Sequence, residues 1–456
     1  MKKDLVTEAL EAPAELLQKT LDTTQDIGRR LNNDKNVKRT ADYWHKLGPG
    51  LTTGASDDDP SGIATYSQTG AQYGFQLLWL AAFTFPLMSV VQEMCARIGL
   101  VTGRGLAGSI RLVFSRRVLY VCALLLFAAN SFNIGADLGA MASGVQLLFP
   151  HSSFALLVVV FAALMLGLQI FTPYERYARY LKWLAMVLFA YVASALLAHL
   201  QWGNVLKHAL LPNITFNKNQ LLLICAILGT TISPYLFFWQ TSQEVEDQIA
   251  QGKTTVAMRQ GTNKEEIRSM RIDVWSGMLL SNLVMFFIIA ACGALLFTHG
   301  ITNIQTSAQA AEALRPFAGS STYFLFAVGI VGTGMLAIPV LAGSSSYAIV
   351  ESLHKRQPGS LSKKLKQAYA FYGVIIIAML VGLGMNFIGL NPIKALIYSA
   401  IANGLVAPVV LVLILLISGN KKVMGEWANG PWTKTIGWLV TLLMVISGGA
   451  AIYALF

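Results

Sequence analysis

Charge is what this chain has least of. Only 12% of its 456 residues are Asp, Glu, Lys or Arg, against 55% hydrophobic residues. Soluble domains carry roughly 25% charged residues, so a water-facing surface cannot be built from this supply, although the length alone would suggest about three soluble domains. Cysteine is equally scarce: Cys95, Cys122, Cys225 and Cys292 stand singly in apolar stretches. No CxxC pair exists among them, which removes a disulfide framework or zinc site from consideration. No apolar stretch follows Lys2 and Lys3 closely enough for a signal peptide. The connecting loops carry no nucleotide-binding loop and no nucleophile–base pair, so no enzymatic activity is expected. The net charge of +11 does not imply a nucleic-acid partner, because the basic residues sit between hydrophobic runs and form no contiguous face.

What the chain has is apolar runs of about the 20 residues that cross a bilayer as a helix. Eleven are expected, near 49–68, 74–101, 118–148, 153–171, 179–200, 219–243, 272–298, 322–350, 368–388, 392–418 and 434–455. The first is interrupted by Asp57, Asp58 and Asp59. Cytoplasmic loops are enriched in Lys and Arg, and with the N-terminus inside, thirty of the 34 basic residues fall on the inner side, leaving only Lys207, Lys218, Arg315 and Lys394 outside. This predicts eleven transmembrane helices with a cytoplasmic N-terminus and an extracytoplasmic C-terminus. Residues 1–46 read as a cytoplasmic arm containing an amphipathic helix, with Leu10, Leu17, Leu21, Ile27 and Leu31 at roughly helical spacing.

Two segments carry breaks that would sit at membrane depth. In the first, Gly54-Ala-Ser-Asp-Asp-Asp-Pro-Ser-Gly62 places three carboxylates, a proline and two glycines mid-span. In the sixth, Gly229-Thr-Thr-Ile-Ser-Pro-Tyr235 places Thr230, Thr231 and Ser233 before Pro234. Irregular backbone is tolerated there only where it is buried in protein or lines a cavity. Matching breaks five segments apart predict two inverted five-helix repeats, 47–202 and 203–418, followed by an inner loop and eleventh helix over 419–456. Secondary transporters built this way bind substrate at the midplane between broken helices.

An ionised carboxylate at the bilayer centre costs at least about 2.5 kcal/mol, and no Lys or Arg lies mid-segment to pair with these three. A cation is therefore the expected partner. Oxygen donors without His, Cys or Met at the breaks suit a hard ion. Mg2+ keeps several of its waters and needs a roomy pocket, which the small residues Gly62 and Ser233 would provide. Glu93 and Arg97, at i and i+4, are expected to pair. Gly382, Gly384, Gly448 and Gly449 are expected at close helix contacts. Asp137 and Asp273 either line a vestibule or bond to a neighbouring helix. All six histidines fall at segment ends or in loops, which leaves no imidazole proton relay.

With both breaks read, the chain resembles the Nramp family of proton-coupled Mn2+ and Fe2+ transporters. The carrying residues are Gly48-Pro-Gly-Leu-Thr-Thr-Gly54, Asp59-Pro-Ser-Gly62 in place of Asp-Pro-Gly-Asn, Ala96-Arg-Ile-Gly99 with Val101-Thr-Gly103 and Leu106-Ala107, and Met424-Gly-Glu426. The resemblance implies an all-α integral membrane protein with the LeuT-like 5+5 inverted-repeat fold and discontinuous helices 1 and 6. The departures concern the metal site. Gly62 stands where the family has its Asn, Thr230 its Ala, Ser233 its Met and Tyr235 its His, while Asp137-Leu-Gly-Ala140 replaces Asp-x-x-Glu.

This set resembles the bacterial Nramp-related magnesium transporters. It implies inner-membrane uptake of partly hydrated Mg2+, with Mn2+ also accepted, by alternating access without proton coupling. The implied site is Asp59 and Asp58 with Gly62, Thr230 through its carbonyl and Ser233 through its hydroxyl or a water. The metal is substrate, and no cofactor or obligate protein partner is expected. Three alternatives stay open: a proton-coupled Mn2+ transporter, a sodium-coupled organic-solute symporter, and a non-transporting metal sensor.

Overall fold

The computed structural model describes residues 48–172, 186–198, 200–353 and 367–455. The expected N-terminal arm 1–46, the first part of the fifth segment and most of the inner loop after the eighth lie outside them. The described residues are helical throughout, without a strand. The first segment is two helices, α1 (Pro49–Asp57) and α2 (Pro60–Tyr73), and the second is α3 (Trp79–Thr102). After the short α4 (Leu106–Val113), the third and fourth are α5 (Arg116–Gln146) and α6 (Phe154–Phe171). The fifth contributes α7 (Phe189–Leu197), and α8 (Trp202–Leu210) follows. The sixth segment is again two helices, α9 (Lys218–Thr231) and α10 (Pro234–Ala250). Beyond the one-turn α11 (Val256–Arg259), the seventh is α12 (Lys264–Cys292), which runs on as a π turn to Phe297. Short α13 (Ser307–Ala311) and α14 (Arg315–Ala318) precede the eighth, α15 (Thr322–Leu353). The ninth is α16 (Tyr369–Met385), the tenth α17 (Pro392–Ser418), and the eleventh, after α18 (Lys421–Met424), is α19 (Pro431–Leu455).

Eight of these spans are long and apolar enough to cross a bilayer, and 186–197 and α16 are shorter apolar helices. The first segment fails that test because of its three adjacent aspartates, whereas the sixth, broken alike but without acids at its break, passes. The layering follows burial: the apolar core of the α9–α10 span is 83% buried, against 28% of α6. The broken sixth segment therefore runs through the centre, and α6 presents its Leu, Val and Phe side chains outward, where lipid suits them.

Glycine lets the central helices touch by their backbones, as is usual where helix association relies on packing rather than on water exclusion. A Cβ on Gly54 of α1 would fall on the Gly277 carbonyl of α12, and one on Gly229 of α9 would fall on the Ala400 carbonyl of α17. Gly382 of α16 meets Gly135 of α5 in the same way. Gly384 and Gly449 do not serve as expected: a Cβ on either would meet nothing within 4 Å. Gly384 is two residues beyond Gly382 and Gly449 one beyond Gly448, which turns them about 200° and 100° from their predecessors on the helix, away from the neighbours those face.

Candidate cation site at the helix breaks

Both breaks use one local device, a polar residue in extended conformation followed by proline. Proline has no amide to donate and is pre-set for the first helical position, so the chain ends one helix and starts another. At the first break Asp59 takes φ −70° and ψ 170° and caps α2. Its Oδ1 accepts from the Gly62 amide at 2.7 Å and from Ser61 Oγ at 2.6 Å. Its Oδ2 accepts from Asn133 Nδ2 of α5 at 3.0 Å, and Asn133 Oδ1 in turn accepts from Ser399 Oγ of α17 at 2.9 Å.

At the second break Ser233 stands before Pro234 but does not cap forward. Its hydroxyl faces back to the carbonyls of Gly229 at 2.7 Å and Thr230 at 2.6 Å, which soothes the orphaned end of α9. Thr231 likewise bonds back to Ile227 O at 2.8 Å. The two breaks meet at Gly62. A Cβ there would lie 3.2 Å from Thr230 Oγ1 and 3.3 Å from both the Asp57 carbonyl oxygen and the Tyr66 ring. The room expected from Gly62 is thus closely lined in this structure. Tyr235 Oη donates to the Ser56 carbonyl at 3.1 Å and ties the start of α10 to the end of α1.

The other two aspartates turn toward α12. Ser281 Oγ donates to Asp57 Oδ2 and lies 3.4 Å from Asp58 Oδ1. Asp57 Oδ1 has no partner, and neither oxygen of Asp137 has one. Asp137 is one turn beyond Asn133 on α5, hence on the face that reaches Asp59. All four carboxylates are buried, at 4% exposure or less. Among the described residues no Lys or Arg forms an ion pair with any of them. Nor do three His, Cys, Asp or Glu side chains converge closely enough to hold a metal alone. An ion at this junction would need ligands from carbonyls, hydroxyls or water besides carboxylate. A buried charge left without a partner costs about 3–5 kcal/mol, which a cation among these groups would offset.

Of the residues expected at the site, Asp59, Gly62 and Thr230 border the junction, Ser233 adjoins it through the Thr230 carbonyl, and Asp58 faces α12. Asn133, Ser399 and Ser281 escaped sequence reasoning. The signal for Asn133 was available, since it lies four residues before Asp137 in an apolar segment; Ser399 and Ser281 carry no signal of their own.

The junction is closed on both sides. On the side of α1, Asp273 of α12 accepts from the amides of Gly50 at 2.6 Å and Leu51 at 3.1 Å. Thr53 Oγ1 donates to Gln240 Oε1 of α10 at 2.5 Å, and Gln240 passes the chain to Glu244 at 2.9 Å. Asp273 therefore bonds to a neighbouring helix. On the side of α2, Gln68 Oε1 accepts from the Ile304 amide at 2.8 Å and its Nε2 donates to Thr302 O at 3.2 Å. Between Ile63, Ala64, Ser67, Ala140 and Ile304 a cavity of about 10 Å³ remains, room for about one water. At the end of α3, Glu93 is not reserved for Arg97, which lies 3.6 Å away; Arg271 Nη2 at 2.8 Å and Trp275 Nε1 at 2.9 Å of α12 are its nearer partners.

Helices broken in the first and sixth segments around a buried anionic junction define an all-α membrane protein of the LeuT-like class. The chain belongs to the Nramp family: the description of natural resistance-associated macrophage protein-like chains matches residues 50–454. It is 25% identical over 409 residues to the divalent metal cation transporter MntH of Klebsiella pneumoniae, covering 88% of this chain and 92% of that one. A second protein of that name, from Aeromonas hydrophila, is 26% identical over 407 residues, covering 88% and 93%. These relatives are transporters by name, not enzymes. The fold matches the manganese transporter of Eremococcus coleocola with a TM-score of 0.67 at 20% identity, over 88% of this chain and 84% of that one. It also matches Mhp1, a nucleobase-cation-symport-1 family transporter, with a TM-score of 0.54 at 13% identity, over 90% and 92%.

Proposed function

We propose that this chain carries divalent cations into the bacterial cytoplasm by alternating access, with partly hydrated Mg2+ as the substrate and Mn2+ also accepted. The observation that carries this reading is the group of buried aspartates at the helix junction with no basic partner among the described residues. The names of the relatives supply the divalent metal class. Asp59 is the carboxylate ligand, Thr230 contributes its carbonyl, Gly62 and Ser233 keep bulk out of a junction that must widen to take a hydrated ion, and Asp58 attracts the ion. Preference for Mg2+ rests on donor chemistry: with Ser233 at the break there is no thioether to favour a softer metal. Uptake is uncoupled from protons because Ala140 cannot carry one and the Tyr235 hydroxyl is engaged with the Ser56 carbonyl. The chain is placed in the inner membrane with its N-terminus cytoplasmic and its C-terminus outside. Its repeats are 47–202 and 203–418, and its eleven spans include the α1–α2 segment. Two charges moving down 100 mV gain about 4.6 kcal/mol, enough to drive entry.

The second reading is proton-coupled Mn2+ transport, favoured by the Eremococcus neighbour and by Asp137, a buried carboxylate with both oxygens unpartnered. Proteoliposomes holding a pH dye and a divalent-ion dye separate the two. Mg2+ and Mn2+ entry without acidification, both lost in Asp59→Ala, is expected. Acidification with Mn2+ and no competition by Mg2+ would establish the second reading instead.

A further inference from the structure

The Asp59 carboxylate makes its bonds in two directions, and this inference rests on the reading of Asp59 as the cation's ligand. Oδ1 serves the first turn of α2, where the Gly62 amide and Ser61 hydroxyl would otherwise lose their acceptor. Oδ2 has one partner, Asn133 Nδ2, which arrives from another helix. A cation approaching Asp59 needs an oxygen lone pair, and Oδ2 is the oxygen it can take without unwinding α2. Oδ2 keeps a second lone pair for the cation, but the amide hydrogen of Asn133 and the cation are both positive, and each weakens the other's hold on that oxygen. We propose that Asn133 is a positioning residue that competes with the cation for Asp59 Oδ2, so that ion binding uncouples α2 from α5 and α17.

Three features support this. Asn133 Oδ1 lies 2.9 Å from Ser399 Oγ, whose single proton is shared between it and the Leu396 carbonyl at 2.7 Å, so the carboxamide orientation is set mainly from the Asp59 side. Reversing the amide would set its oxygen against the Asp59 carboxylate. Asn133 and Ser399 are fully buried, at 0% exposure, so water cannot substitute for either. The chain Asp59–Asn133–Ser399 thus joins the broken first segment to two unbroken helices at the point where the ion acts. Coupling of this kind is reciprocal: whatever tightens the Asn133 bond weakens ion binding, and the ion weakens the bond in equal measure.

The test is calorimetric titration of the full-length purified protein with Mg2+ and with Mn2+, paired with uptake in proteoliposomes. Removal of a hydrogen bond to a charged group shifts such an equilibrium on the order of tenfold, so Asn133→Ala should bind both ions about tenfold more tightly. Ser399→Ala should tighten binding about two- to threefold, because it loosens the amide without removing it, and it carries the test if Asn133→Ala does not fold. Uptake should show a lower KM with a lower maximal rate, since a tighter site releases its ion more slowly. A merely structural role for Asn133 would weaken binding, so the sign of the change is diagnostic. Unchanged or weaker binding in both variants, with binding abolished in Asp59→Ala, overturns this inference alone. Full binding in Asp59→Ala overturns the reading of the site and this inference with it.

Discussion

Asp273→Asn should open the side of the molecule that α1 closes. Asp273 holds the first amides of α1 at 2.6 and 3.1 Å, acting from α12 as the cap that α1 does not supply for itself. Each hydrogen bond to a charged group is worth about 1.5–3 kcal/mol, and the positive end of the α1 dipole adds about 0.3–1 kcal/mol. The asparagine keeps one acceptor and turns its NH2 toward the second amide, so a net loss of about 3 kcal/mol is expected. At 1.4 kcal/mol per factor of ten, the closed-to-open ratio on this side falls on the order of a hundredfold. Ser56, near the end of α1, is 1% exposed, and Ser56→Cys makes it a reporter. The four native cysteines are all buried, which keeps the background low. With a membrane-impermeant maleimide applied from the α1 side, labelling of Ser56→Cys should quicken by one to two orders of magnitude when Asp273→Asn is added. A change of less than about twofold would refute the role given to Asp273, because α1 would then be held by its packing alone.

Two further perturbations test the packing around the junction. Gly229→Ala places a methyl on the Ala400 carbonyl and against the Gly404 backbone, atoms that cannot rotate away; a loss of about 1–3 kcal/mol is expected for such overpacking, read as a lower melting temperature in detergent, while Gly167→Ala, inside α6 with nothing within 4 Å, should not lower it and gains helix propensity. Glu93→Gln leaves Arg97 and Arg271 facing each other at the end of α3; the side chain of Arg271 is 54% exposed, so the loss should be about 1–2 kcal/mol, and added salt should restore part of it by screening the repulsion.

The breaks were legible because their cause is local. Asp59-Pro60 and Ser233-Pro234 announce a helix end wherever they occur, and the structure starts α2 and α10 at those prolines. The apolar runs were legible for the same reason, since each needs only its own composition. What failed to show in the sequence is pairing across distance. Asp273 reads as an isolated acid until α1 is laid against α12, and the spacing that sets Asn133 one turn before Asp137 does not name its partners, Asp59 and Ser399, 74 positions before it and 266 after it. Glu93 illustrates the bias this creates: the i+4 neighbour Arg97 is visible in sequence, whereas the nearer Arg271 and Trp275 are not. At Ser233 the resemblance implied a ligand through the hydroxyl or a water, whereas the hydroxyl lies on the Gly229 and Thr230 carbonyls.

The dipoles of the four half-helices do not choose between the breaks, since each joins one negative and one positive end, but they rank the aspartates within the first. α2 and α10 point their N-termini, the positive ends, at the junction, whereas α1 and α9 point their C-termini. Asp59 sits on the α2 N-terminus and is stabilised there by the Gly62 amide as well as by the dipole. Asp57 ends α1, where the dipole is negative, and its Oδ1 has no partner. The carboxylate most in need of a cation is therefore not the one best placed to ligate it. Asp57 carries its unfavourable charge two residues from Asp59, and its carbonyl borders the same Gly62 position as Thr230 Oγ1. On the proposed reading, a cation at the junction would relieve an ionised Asp57 through the field and Asp59 through the bond. Ser233, at the other break, adds no charge, and the α10 N-terminus behind it adds a positive end. On that reading the ion would be drawn toward the first break, while the second would supply carbonyl oxygen, and a single-carboxylate contact would hold a hydrated ion loosely enough to let it leave.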